Sequence, residues 1–160
     1  MQAFFSEYKT IIVFLHVISA VVWVGGMVAM RFAAHQSFME IESPLKRLER
    51  VAHALKRLFC IVAPFVLVLL VTAIIMVKGY ALSESEYKSF GYAKEAIWTV
   101  MFLNLAFMIK RRNDAQKALE SGELVLAKEK LGLIGKYMVP VNIVLGVVAI
   151  FLGSMLSSHF

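Results

Sequence analysis

The chain has 160 residues, 60% of them apolar, and a mean hydropathy of +0.75. That composition excludes an ordinary soluble domain and points to a small integral membrane protein. A formal charge of +6 comes from 17 Lys and Arg against 11 Asp and Glu, and a single cysteine excludes a disulfide framework.

In chain order, the first element is an uncharged apolar run from Thr10 to Met30, bounded by Lys9 and Arg31. It reaches the ~20 residues that a spanning helix needs. It is too long for a removable signal peptide and lacks a small-residue cleavage site. The following segment, 31–57, is basic. Within it Ser43 reads as a helix N-cap and Pro44 as the first helical residue, ahead of an apolar stripe of Leu45, Leu48, Ala52, Leu55 and Phe59. The pattern predicts an amphipathic helix lying on the inner membrane surface and turning into the second span, Leu58 to Val77. Cys60, at the start of that span, is expected as a reduced thiol. The third span, about 92–110, is strictly uncharged only from Ala96 to Ile109. It borrows length from Phe90 to Glu95, with Lys94 snorkelling towards the headgroups. Charged helical segments, Asp114 to Glu120 and Glu123 to Leu133 with a break at Gly122, cross 111–136 to the fourth span, 137–157. Each half thus reads as a span, a basic helical loop and a returning span. Pro64 and Pro140 lie a few residues inside the two returning spans, where a kink is expected. The expected architecture is one all-α domain over residues 1–160, an integral membrane four-helix bundle with amphipathic helices in its two basic loops.

Orientation follows from the cations. Arg31, Lys46, Arg47, Arg50, Lys56 and Arg57 lie in the first basic loop; Lys110, Arg111, Arg112, Lys117, Lys128, Lys130 and Lys136 lie in or beside the second. Those thirteen of the 17 Lys and Arg place both loops in the cytoplasm and both termini in the periplasm by the positive-inside rule. The expected location is the bacterial inner membrane, multi-pass, with the lipid bilayer as partner. The basic loops face anionic headgroups and require no nucleic acid.

An ionisable ring inside a span is expensive, so His16 needs a partner or a function. At ~1.5 Å per residue it falls in the outer half of the first span, level with Thr72 on the second. A helical period of 100° puts His16, Ala20, Trp23, Met27, Met30 and Ala34 on one face. A neutral imidazole is a usual haem or metal ligand, and Trp23 with the small Ala20 could line a slot for a flat macrocycle. Alternatively His16 bonds Thr72, Thr99 or a backbone carbonyl and fixes helix packing, the reading that spacing alone favours. A second histidine for haem is not at hand: His159 lies at the outer headgroup level, and His35 and His53 lie on the cytoplasmic side. Copper chemistry would use the soft pair Met27 and Met30, with His16 or Cys60. Gly25, Gly26, Gly146, Ala149 and Gly153 read as sites of close helix packing.

The string Leu15-His16, then Trp23-Val24-Gly25-Gly26 and Arg31, resembles the first helix of the small bacterial membrane proteins grouped around the CopD copper-resistance protein. It is also similar to that of the HemJ-type protoporphyrinogen oxidases, with looser likeness at Lys94, Gly135-Lys136 and Val139-Pro140. The HemJ-type pattern carries a further histidine after its lysine, where the nearest polar residue here is Asn104, and a different tail from Ser157-Ser158-His159-Phe160. The resemblance implies a four-helix inner-membrane protein that binds b-type haem or a porphyrin, in redox or haem-handling chemistry. On that reading His16 is the axial ligand, Trp23 the pocket wall, Asn104 a further cofactor-side residue, and Lys94 and Arg31 the partners of propionates. A homodimer would enlarge the surface buried around a macrocycle. Copper transport or resistance through His16, Met27 and Met30, and a non-catalytic membrane subunit or assembly factor, are the two alternatives.

Overall fold

The computed structural model describes residues 2–81 and 88–157. His159 and Ser158 lie outside them. The described residues form four long helices: α1 (Gln2–Met39), α2 (Pro44–Gly79), α3 (Lys88–Glu120) and α4 (Leu124–Ser157). Each is long and apolar enough to cross a membrane, the pattern of a multi-pass membrane protein. Each helix packs on its sequence neighbours, and α1 also packs on α4, which closes the four into a bundle. Outward side chains are apolar on every helix: Phe14, Leu67, Phe107 and Val144 are each 59–62% exposed. Such a surface is stable only against lipid.

The helices overshoot the membrane. A helix of 36 residues such as α2 is roughly 54 Å long, against a hydrocarbon core of ~30 Å. The surplus lies mostly at the end carrying the basic segments, called the basic end below. Here the structure corrects one expectation. The stripe after Ser43 is not a separate surface helix; it continues unbroken into the second span, so residues 44–57 belong to α2. Ser43 does cap the helix, accepting a hydrogen bond from the Lys46 backbone N–H, and Pro44 opens it. The reason for the difference is that the stripe finds protein instead of headgroups. Ala52, Leu55 and Phe59 are buried in the same core as Ala115, Ala118 and Leu119 of α3 and Ala127 and Leu131 of α4. Four alanines and the surrounding leucines let the helices approach closely and extend the bundle beyond the membrane.

The turn between α3 and α4 is as expected. Gly122 adopts φ +80°, its N–H bonds the Leu119 carbonyl, and the Glu123 N–H reaches back to Ala118, a left-handed helix stop that a side chain would strain. Pro64 does not interrupt α2. Pro140 follows a widened, π-helical turn over Ile134–Met138. A proline ring crowds the carbonyl four residues back, here that of Lys136, and the widened turn accommodates it. A second such turn spans Met30–Ala34 of α1. At the opposite end Phe5 packs edge-on to Tyr80, and Gly79 leaves room for Phe5, whose ring a Cβ would strike.

Candidate functional site

The face of α1 read from helical phase does turn inwards. Trp23 and Met27 are buried, while His16, Ala20, Met30 and Ala34 are half-buried. His16 meets the residue expected at its level: its Nδ1 lies 3.0 Å from Thr72 Oγ1 on α2. Thr72 also lies 2.7 Å from the Val68 carbonyl and 3.1 Å from that of Leu69. A hydroxyl has one proton. With that proton on a carbonyl, Oγ1 would accept from His16 and Nδ1 would be the protonated nitrogen, with the Leu69 carbonyl a further acceptor beside the ring. In that arrangement a neutral imidazole has its lone pair on Nε2.

Lys94 completes this level of the bundle. It is half-buried on α3. Gly153 on α4 makes the space, since a Cβ there would come within 2.9 Å of the Lys94 Nζ. One turn on, Trp98 stacks on Phe102 with ring centroids 5.1 Å apart, and its indole N–H is buried without a protein acceptor. The imidazole Nε2, the Lys94 amine and the Trp98 N–H are thus groups that an anionic or metal-bearing ligand could engage. Thr99 takes no part; it is exposed and bonds the Glu95 carbonyl of its own helix.

The other sequence candidates lie elsewhere. Trp23 is 1% exposed and sealed in the core, its indole N–H also without an acceptor, so it supports the site from beneath and is not an open wall. Asn104 is half-buried, and its amide donates to the Met138 carbonyl at 2.7 Å and to Asn142 Oδ1 at 2.8 Å. Asn142, fully buried, donates in turn to the Met101 carbonyl at 3.4 Å. The two amides clamp α3 to α4. Arg31 lies in the π-helical turn of α1, near the basic end and far along the helix from His16, with its guanidinium against Phe32. Met27 is buried in the core with Met30 packed at its margin, whereas Cys60 is exposed and lines a cavity with His53 on α2. Of the glycines, Gly26 admits Leu58 and Val62, Gly146 admits Val24 and Met101, and Gly25 faces open space.

One residue escaped the sequence reading. Arg112 is buried at 7% exposure, with Nε donating to the Ala52 carbonyl at 2.9 Å. A signal for it existed: Met101, Leu105, Met108, Arg112, Ala115 and Leu119 are all buried on α3 at alternating spacings of four and three. That is the seam of a packed helix, and Arg112 occupies one of its positions. Compared with protein-family models, curated proteins and solved structures, the chain finds no match.

Proposed function

We propose that this is a multi-pass protein of the bacterial inner membrane that binds a b-type haem or a porphyrin, with His16 as the axial ligand. The observation that carries the reading is the His16–Thr72 contact: a threonine hydroxyl that also lies beside the Val68 carbonyl is suited to accept from Nδ1, which would leave the Nε2 lone pair for a ligand. Metal-ligating histidines characteristically donate their other ring N–H to such an acceptor. Lys94 is the cation for a propionate, and the Trp98 N–H, one turn further along α3, is a further donor. Bound haem would supply one-electron redox chemistry or be the cargo. In this orientation the basic end lies in the cytoplasm and both termini in the periplasm, from the asymmetry of Lys and Arg.

A second reading draws on the same hydrogen bond: a non-catalytic subunit in which His16 ties α1 to α2 and nothing more. Copper handling through Met27 and Met30 has less to stand on, since Met27 is enclosed by core side chains. The absorption spectrum of the detergent-purified protein separates the three. Haem binding predicts a Soret band in the wild type that is lost in His16→Ala. An unchanged band in that variant, or no band in the wild type after growth with haem supplied, rejects it. Copper retained by the wild type and lost on Met27→Ala would favour the metal-handling alternative.

A further inference from the structure

An open cavity of about 600 Å³ lies between α2 and α3 at the basic end, and Arg112 is one of its walls. The Arg112 guanidinium offers five N–H protons. One goes to the Ala52 carbonyl, one to Asn113 Oδ1 at 3.1 Å and one to Gln116 Oε1 at 3.4 Å. Every oxygen it bonds among the described residues is neutral, and one proton on each terminal nitrogen remains without a protein acceptor. A buried charge with no counter-ion is costly, and the cavity supplies further positive charge in place of one. Lys56 and Arg57 line it from α2, with His53 beside them, against the single carboxylate of Glu120, which Gln116 holds at 2.9 Å.

We propose that this cavity is a binding site for a phosphate group, with Arg112 as its buried anchor and Lys56 and Arg57 as its outer cations. A planar guanidinium with a free proton on each terminal nitrogen matches two phosphate oxygens. The level of the site suits that chemistry. Cys60 and Ile61, on the cavity wall, belong to the first turns of the apolar run that starts at Leu58, which sets the cations beside them at the depth of lipid phosphates. The phosphate can come from an anionic phospholipid or from a soluble phosphate, and the site chemistry is common to both. This proposal is independent of any ligand at His16.

Native mass spectrometry of the detergent-solubilised full chain tests it, with phosphatidylglycerol, phosphatidylcholine or inorganic phosphate added separately. Because Arg112→Gln removes a buried anchor and can unfold the chain, the primary variant is Lys56→Gln with Arg57→Gln, both exposed positions. Its control is Lys46→Gln with Arg50→Gln, two equally exposed cations farther along the same helix. A lipid source predicts phosphatidylglycerol adducts about tenfold more abundant than phosphatidylcholine adducts, reduced about tenfold in the primary variant and little changed in the control. A soluble source predicts instead a phosphate adduct, with a raised melting temperature, that the primary variant loses. If neither ligand is retained above phosphatidylcholine, or if the control pair loses it equally, the site is rejected.

Discussion

A threonine hydroxyl in an apolar helix commonly bonds a carbonyl one turn back, and Thr72 does so with Val68. That local bond suits Thr72 to accept from His16, which would leave the other ring nitrogen for a ligand. Replacing Thr72 with Val keeps the volume but removes the side-chain acceptor of the half-buried His16 ring. The expected cost is about 1–3 kcal/mol of stability, seen as a lower melting temperature in detergent. If His16 ligates haem, the loosened ring also weakens haem affinity by roughly 10–100-fold. A Thr72→Val protein with unchanged melting and unchanged haem affinity would show that the contact orients nothing. His16, Thr72 and their common level were legible from residue spacing. The packing of the Lys94 amine against Gly153 was not, because a lysine near a span end carries no sign of which neighbouring helix leaves room for it.

At the scale of the helices, the pair Asn104 and Asn142 holds α3 against α4, with the Met138 carbonyl accepting a second bond from the Asn104 amide. Asn104→Leu leaves the Oδ1 of the fully buried Asn142 without its donor, so it should cost about 1–3 kcal/mol. The double variant Asn104→Leu with Asn142→Leu removes both polar groups and should regain part of that loss. Melting curves of the two single variants and the double one check this; a double variant that merely adds the two losses would contradict the clamp. The apolar spans were readable because long uncharged runs have few alternative structures. The destination of the amphipathic stripe on α2 was not, since a stripe at helical spacing fits a membrane surface and a protein partner equally well. The partner was encoded far away, in Ala115, Ala118 and Leu119. The regular seam of α3 contained Arg112 as well, and it is visible only when the charged residue is counted among the apolar ones.

For the whole molecule, the separation of an apolar, lipid-facing belt from a basic, packed end makes orientation testable with the chain's own chemistry. Cys60 is exposed at the basic end and is the one cysteine in the sequence. In intact spheroplasts a membrane-impermeant maleimide should leave Cys60 unmodified and should modify it after permeabilisation. A Ser6→Cys variant lacking Cys60 should show the reverse, since Ser6 is exposed at the opposite end of α1. Modification of Cys60 in intact spheroplasts would invert the topology and place His16 in the cytoplasmic half of the bilayer. The most direct test of the central claim is a titration of haemin into detergent-solubilised wild type and His16→Ala, with circular dichroism confirming that both are folded. The account predicts a Soret band that saturates at one haem per chain in the wild type and is absent from the folded variant. Equal binding by both proteins, or saturable binding by neither, would contradict it.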